Sequence, residues 1–235
     1  YGAMTRTLAI VPARAGSKRI PNKNQRNFLG QPLILWAVNF ALKVKDFDRV
    51  VVSTDSPEIA KLAVDVGATV PWLRQADLSA DTSTSVDVVL DVIRRLENQG
   101  DFFDRVALLQ PTSPVRLPER WVEAILMLDR GASAVVGVRP VSDHPYWSYV
   151  LLPGDEIVPC HPQKKDLRSQ DLPPAFVPNG SLYLIRIDLL KSTRSFLPVG
   201  SKFVVCGDPV ESIDIDTEDD WLEAERLVLS WKVKS

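Results

Sequence analysis

The sequence has 235 residues, 45% hydrophobic and 25% charged, which predicts one larger globular domain that needs no disulfides or structural metal to form its core. A formal net charge of −2, from 28 basic and 30 acidic residues, argues against nucleic acid or an anionic membrane as partner, and the longest mainly apolar stretch, residues 33–42, is too short to span a bilayer. The N-terminus also has no secretory apolar region, so we expect a soluble cytoplasmic protein. Two cysteines and two histidines are too few for a disulfide framework or a zinc cluster.

Strands and helices are predicted to alternate from residue 8 to residue 138. Short apolar runs predict the strands, and apolar residues at helical spacing predict the helices. The predicted strands cover residues 8–11, 49–53, 68–70, 106–109 and 132–138, and the predicted helices cover residues 32–44, 85–96 and 118–129. A further helix is expected after Asp55, its predicted N-cap, with Glu58 three residues on. The alternation predicts an α/β fold, with a mostly parallel sheet and helices on both faces.

The second half begins with a segment of different character. Residues 139–178 contain 8 of the 18 prolines and both histidines, so we predict an extended insertion, either a lid over the site or an arm to a partner subunit. Strands are predicted at residues 181–187, 202–205 and 212–216, and a terminal helix at residues 217–230 with Thr217 as its cap. We therefore expect residues 4–235 to form one domain that carries this insertion. Residues 1–3, which precede Met4, are expected to be an expression remnant.

A concentration of positive charge follows the first predicted strand. Residues 14–26 contain five basic side chains and no acidic one: Arg14, Lys18, Arg19, Lys23 and Arg26. Ligands of open α/β sheets bind at the carboxyl ends of the strands, so this position favours a cradle for a polyphosphate. The spacing fits neither a P-loop nor a dinucleotide-binding fingerprint. The alternative is a basic loop that is merely solvated.

A pair of carboxylates lies near the end of the chain. On the strand predicted at 212–216, Ile213 and Ile215 would face the core while Asp214 and Asp216 project together from the other face. Two carboxylates about 7 Å apart repel each other unless a cation lies between them, which favours Mg²⁺. The alternative is a solvated strand end that starts the terminal helix. A phosphate loop and an acidic metal pair together indicate nucleotidyl transfer.

A third group of polar residues surrounds the irregular segment that follows residue 71. Arg74 and the hydroxyl groups of residues 79 and 82–85 lead into a helix N-terminus, which offers donors to an electron-rich ligand edge. Taken alone, these hydroxyls fit plain helix caps better. Gln110 and Tyr183 also follow or lie on strands near this edge and could orient a hydroxylated ligand, although an isolated tyrosine on a strand is more often a core residue.

Several blocks of this sequence resemble one known family. Residues 10–24, IVPARAGSKRIPNKN, resemble the signature loop of the acylneuraminate cytidylyltransferases, the CMP-sialic acid synthetases. Further blocks follow in that family's order at residues 51–55, 73–78, 81–85, 110–114, 178–180 and 212–217. The resemblance implies a fold like that of nucleotide-diphospho-sugar transferases. It also implies transfer of CMP from CTP to the anomeric hydroxyl of a nonulosonic acid, a nine-carbon 2-keto acid sugar, with release of pyrophosphate.

The resemblance also implies roles for individual residues. The implied triphosphate contacts are Arg14, Lys18, Lys23 and Asn24, and the implied cytosine and ribose contacts are Arg74, Ser83 and Ser85. Gln110 and Tyr183 would contact the sugar acid, and Asp214 and Asp216 would hold Mg²⁺. The implied catalytic residues are Lys18, Lys23, Arg168, Asp214 and Asp216. Arg168 matches an active-site arginine of the family, although this chain has Ser169 where relatives often have a second arginine.

The acceptor sugar and the assembly are also predicted from the resemblance. Where sialic acid enzymes often have a lysine, this chain has Tyr146 and Trp147, so pseudaminic and legionaminic acids are alternatives to sialic acid. The eight-carbon acid Kdo, a nucleotide-binding module without turnover and a nucleotide-sugar glycosyltransferase are further alternatives. The family implies a homodimer in which residues 139–178 reach towards the neighbouring subunit.

Overall fold

The computed structural model describes residues 5–79, 83–161 and 168–234, and its centre is a six-stranded sheet. The sheet strands are β1 (Thr7–Pro12), β4 (Arg49–Ser53), β5 (Arg105–Leu108), β6 (Ala134–Pro140), β9 (Phe176–Arg186) and β10 (Lys202–Val205). Their order across the sheet is β10-β6-β9-β5-β1-β4. β9 runs antiparallel to β5 and β6, whereas β1 pairs in parallel with β4 and β5, and β10 with β6. The predicted mostly parallel α/β fold is confirmed.

Helices cover both faces of this sheet. They are α1 (Leu33–Lys43), α2 (Pro57–Asp65), α3 (Ser85–Asn98), α4 (Pro118–Asp129), α5 (Ile187–Thr193) and α6 (Glu218–Lys234). Alternate residues of β1 face opposite sides, so Val11 packs in the core with α1, α2 and α4, while Ile10 packs with α3 and α5. A third core, around Trp221, joins α6 to the short strand pair β2 (Asn27–Phe28) and β3 (Gln31–Pro32).

Two predictions in the first half need correction. Asp55 does not cap α2. Ser56 does, since its Oγ accepts the N–H of Ile59 at 3.2 Å, and Pro57 at the first helical position places the cap one residue later than predicted. The strand predicted at 68–70 is reduced to one parallel bridge between Thr69 and Val51.

The prediction of a strand at residues 212–216 is also wrong. A short 3₁₀ helix, Pro209–Ser212, ends there, and residues 213–217 form an extended segment outside the sheet. The alternation nevertheless holds, because Ile213 and Ile215 are buried in the core around Trp221 while Asp214 is exposed. Thr217 caps α6 as predicted, accepting the N–H of Asp220 at 3.2 Å.

The predicted insertion forms a small hairpin and an extended connection to the sheet. β7 (Tyr149–Leu151) and β8 (Ile157–Pro159) pair antiparallel, and the first residues of β9 extend the sheet beside the end of β6. Residues 162–167 of this predicted insertion lie outside the described residues. Within the described ranges, no helix combines the length and apolarity needed to cross a membrane.

Candidate active site

The basic loop, residues 13–26, leaves the carboxyl end of β1 and is fixed by hydrogen bonds to its backbone. Asn24 is 8% exposed, and its Nδ2 donates to the backbone oxygen of Arg14 at 3.0 Å. The N–H of Ala15 donates to Oδ1 of Asp55 at 2.8 Å, so the residues after β4 hold the start of the loop. Asn24, predicted as a phosphate contact, therefore also shapes the loop from within.

Four of the five basic side chains line one cleft of about 500 Å³. The lining residues are Pro12, Arg14, Ser17, Lys18, Arg19, Lys23, Asn24, Pro111, Thr112 and Asp216. Arg26 lies apart from this lining, since its guanidinium bonds both carboxylate oxygens of Glu218 at 2.6 and 2.7 Å and stacks over Trp221. Positive charge and a carboxylate from opposite ends of the chain are thus brought together, as the charge pattern predicted.

The acidic segment meets the basic loop directly. Lys23 Nζ donates to the backbone oxygen of Ile215 at 2.7 Å and to Oδ1 of Asp216 at 3.1 Å, and Arg19 donates to Oδ2 of Asp216 at 2.9 Å. The Lys23 side chain is only 11% exposed, whereas the Asp216 side chain is 39% exposed, so solvent reaches this contact from the carboxylate side. The repulsion argument for Mg²⁺ therefore needs correction, because two basic side chains already compensate the charge of Asp216.

A second, smaller cavity of about 240 Å³ adjoins the cleft. Its lining is Pro12, Arg14, Arg74, Leu78, Ser83, Ser85, Val88, Gln110, Pro111 and Thr112, and four of these residues also line the cleft. The guanidinium of Arg74 bonds the backbone oxygen and, at 3.1 Å, the Oγ of Ser53, and burial lowers the Arg74 pKa. Thr84 and Asp87 form the capping box of α3 at this wall.

The smaller cavity therefore offers a helix N-terminus and hydroxyl groups, and it adjoins the strongly basic cleft. A flat heterocycle with a sugar fits the first chemically, and a polyphosphate fits the second. The cytidylyltransferase family profile matches residues 8–135. The chain belongs to the cytidylyltransferase family. The resemblance predicted from the sequence is confirmed, and with it the enzyme class, nucleotidyltransferase.

Two relatives among the cytidylyltransferases match nearly the whole chain. The chain is 40% identical over 224 residues to "CMP-N,N'-diacetyllegionaminic acid synthase" of Legionella pneumophila, covering 95% of this chain and 96% of that protein. It is 33% identical over 217 residues to "Pseudaminic acid cytidylyltransferase" of Campylobacter jejuni, covering 92% and 93%. A solved CMP:2-keto-3-deoxy-manno-octonic acid synthetase complexed with CTP superposes with a TM-score of 0.71, covering 96% of this chain and 99% of that one. At 18% identity, the latter shows the shared fold.

Of the two residues predicted to contact the sugar acid, Gln110 lines a cavity of the site, whereas Tyr183 is absent from both linings. Gln110 lines the smaller cavity together with Arg74. Tyr183 is half-buried on β9 with its ring against Phe196, and burial and then the charge of Asp214 raise its pKa. Tyr183 is therefore partly a core residue, and the charge of Asp214 acts on its hydroxyl.

Arg168 lies outside both cavities in this single chain. It is exposed and directly precedes the 3₁₀ helix Ser169–Asp171, whose Asp171 N–H bonds the Arg168 backbone oxygen at 2.9 Å. It is absent from the linings of the cleft and the adjoining cavity. Its predicted catalytic role therefore depends on a movement of the insertion or on a second subunit.

Two buried charged residues behind the site were not singled out from the sequence. Arg116 is 6% exposed and Glu211 is 1% exposed. Glu211 pairs with Arg120 at 3.2 Å and lies just before the acidic segment. In the sequence, Arg116 stands out only as a charged residue among apolar and proline residues at the end of the loop that carries Gln110, and this predicts no role for it.

Proposed function

We propose that this protein transfers CMP from CTP to the anomeric hydroxyl of a nonulosonic acid and releases pyrophosphate. In this reaction the anomeric oxygen bonds to the α-phosphorus, the bond from that phosphorus to the bridging oxygen of the β-phosphate breaks, and the hydroxyl proton is released. The observation that carries the proposal is the shared cleft, in which Arg14, Lys18, Arg19 and Lys23 face Asp216 beside a cavity suited to a nucleoside.

The nucleoside is assigned to the smaller cavity and the triphosphate to the cleft. Arg74, Ser83 and Ser85 offer donors and a helix N-terminus to the carbonyl and ribose oxygens of cytidine. Arg14, Lys18 and Lys23 then lie where the phosphates extend, and their charges neutralise the departing pyrophosphate. The hydrogen bonds of Asn24 and of the Ala15 N–H fix the backbone of this loop, so only its side chains need to move when the phosphates bind.

Asp214 and Asp216 fit a divalent cation by the chemistry of their donors. Both offer carboxylate oxygens, and Mg²⁺ in nucleotide sites commonly takes one or two carboxylates while substrate phosphates and water complete its shell. Within the described residues no three acidic, histidine or cysteine side chains are placed to hold a metal ion, so substrate and water would complete the shell here too. A bound Mg²⁺ supplies positive charge to the α-phosphate and lowers the pKa of the attacking hydroxyl. With a cation on Asp216, the Lys23 and Arg19 side chains that now bond this carboxylate would be available to the phosphates.

The acceptor we propose is a legionaminic-type acid, with pseudaminic acid as the second candidate. The relatives named for these two acids are 40% and 33% identical to this chain across more than 90% of its length. Tyr146 and Trp147 are 37% and 46% exposed on the insertion and offer apolar surface to the additional acyl and deoxy groups of such sugars.

We also propose that the protein is a homodimer in the cytoplasm, where CTP is made. The side chains of Tyr149, Val150, Leu151 and Ile157 on the β7–β8 hairpin are 47–67% exposed, an unusual concentration of apolar surface. An isolated two-stranded hairpin has little stability of its own, so packing against a second copy would stabilise it. The same contact would bring Arg168 towards a cleft.

One experiment tests the reaction and its acceptor together. The protein is incubated with CTP, Mg²⁺ and a panel of sialic, legionaminic, pseudaminic and Kdo acids, and the products are identified by mass spectrometry. We expect a CMP conjugate of the legionaminic acid and stoichiometric pyrophosphate. Calorimetric CTP binding without pyrophosphate release from any acid would identify a binding module instead. Transfer from a CMP-sugar to another acceptor would identify a glycosyltransferase.

A further inference from the structure

Arg116 is a charged side chain enclosed by the fold. It lies between Val115 and Leu117 just before α4, and it is 6% exposed. Its hydrogen bonds go to backbone oxygens, from Nη2 to Gln110 at 2.7 Å and from Nε to Ser181 at 3.0 Å. Burial alone lowers the pKa of Arg116 to about 9, so the guanidinium stays charged at neutral pH at a substantial desolvation cost. Because burying this charge is so unfavourable, we expect Arg116 to have a specific role in the site.

The two carbonyls belong to segments that carry the site. Gln110 begins the loop after β5 whose first residues, Gln110 to Thr112, form a wall of the smaller cavity. Ser181 lies on β9, and its Oγ and N–H bond Oδ1 of Asn179 at 2.9 and 3.2 Å. Arg116 therefore joins the cavity wall to the antiparallel strand beside it.

The connection continues to the acidic segment. Asn179 donates from Nδ2 to the backbone oxygen of Glu211 at 3.1 Å, two residues before the extended segment that bears Asp214. The N–H of Ile215 also donates to the backbone oxygen of Thr112 at 2.8 Å. The nucleoside cavity and the acidic segment are thus attached to one hydrogen-bonded network, with the guanidinium of Arg116 at its centre.

The loop that begins at Gln110 and strand β9 are in close contact at Gly180. Gly180 has φ +78°, and a Cβ added there would lie 2.7 Å from Oγ of Ser113 and 3.6 Å from Oε1 of Gln110. A movement of the Gln110 loop by less than an ångström would therefore change its contact with β9 and the direction of the Gln110 side chain.

We propose that Arg116 is a positioning residue, which fixes the Gln110 side chain in the nucleoside cavity by bonding the Gln110 and Ser181 carbonyls at the same time. The inference rests on the proposed CTP site, and it takes Gln110 as a contact of the nucleoside rather than of the sugar acid, because Gln110 lines the same cavity as Arg74 and Ser85. Lysine cannot replace Arg116, because one ammonium on a flexible stem does not reproduce two bonds from a planar fork in fixed directions. In this proposal Arg116 affects CTP affinity only through Gln110, and mutating both residues measures that dependence.

The test is a double-mutant cycle on CTP affinity, measured by calorimetry and thus independent of turnover. The variants are Arg116→Lys, Gln110→Ala and the double variant, with thermal denaturation of each. Arg130→Lys, the same exchange at an exposed residue after α4, is the matched control and should bind CTP within twofold of wild type. We expect Arg116→Lys to weaken CTP binding at least tenfold, but less than threefold further in the Gln110→Ala background.

Independent losses, in which Arg116→Lys weakens binding equally in both backgrounds, would overturn the proposal, as would wild-type affinity in Arg116→Lys. If Arg116→Lys does not fold, Arg116→Gln replaces it, since this variant leaves no charge buried. Failure of both to fold would also overturn the proposal, because Arg116 would then be required for folding itself. Failure of the proposed function is distinguished separately, by CTP binding of the wild type without pyrophosphate release.

Discussion

Asp216→Asn tests the contact between the acidic segment and the basic loop. The substitution keeps the shape of the side chain but removes the charge that Arg19 and Lys23 bond. The Arg19 side chain is 65% exposed, so this pair contributes at most about 1 kcal/mol to stability. Lys23 is largely buried but keeps its bond to the Ile215 oxygen, so the total loss should be about 1–2 kcal/mol. For a chain of this size, Tm should fall by about 2–8 °C.

The variant therefore stays folded, and its effects on binding and on turnover should differ in direction. Without metal, CTP should bind at least as tightly as to wild type, because Lys23 and Arg19 no longer bond a carboxylate. Pyrophosphate release with Mg²⁺ and acceptor should fall about a hundredfold, equivalent to about 2.7 kcal/mol in the barrier.

Calorimetry without metal and a coupled pyrophosphate assay measure these two effects. Asp219→Asn, on the exposed first turn of α6, is the matched control. Turnover by Asp216→Asn within threefold of wild type would refute the role of Asp216. Weaker metal-free CTP binding would refute the competition between Asp216 and the phosphates.

Three further predictions follow from other parts of the chain. Gly180→Ala should lower the free energy of unfolding by about 2 kcal/mol in urea denaturation, because φ is +78° and the new Cβ meets Ser113, and an unchanged value would contradict the close approach. Leu151→Glu should convert the expected dimer into a folded monomer by light scattering, and a persisting dimer would place the interface elsewhere. Asp101 is partly buried, which opposes ionisation, but hydrogen bonds from Arg49 and Arg6 hold its pKa below the ordinary value. Its stabilising effect is present above pH ~4 and lost as the pH falls through the lowered pKa, so the destabilisation by Asp101→Asn should shrink between pH 7 and pH 3.

Most of the fold follows from local sequence patterns. The β-branched run at Arg49–Ser53 and the helix Pro118–Asp129 have the predicted boundaries, because a buried strand and an amphipathic helix each show their own period. The segment 212–216 shows where this reasoning stops. Alternating isoleucines and aspartates satisfy the pattern of a strand, but they satisfy any extended segment against a core equally well. Pairing with a neighbour is not encoded within the five residues themselves.

The parts of the candidate site that could be predicted from the sequence are those that concentrate charge of one sign. The basic loop and the carboxylates stand out because each concentrates one sign of charge beside a strand or a helix start. Which cation meets which carboxylate depends on the fold, and Arg26 proves to bond Glu218 rather than line the cleft. Arg116 could not be assigned because its partners are backbone oxygens, which every residue possesses and no sequence pattern distinguishes.

A crystal structure with CTP and Mg²⁺ would show directly whether the two cavities hold one nucleotide. We expect the cytosine and ribose beside Arg74 and Ser85, and the triphosphate in the cleft between the loop of Lys18 and Lys23 and the carboxylate of Asp216. A nucleotide bound in that cleft with its base outside the smaller cavity would contradict the assignment of the nucleoside. A triphosphate directed away from the basic loop would contradict the account as a whole.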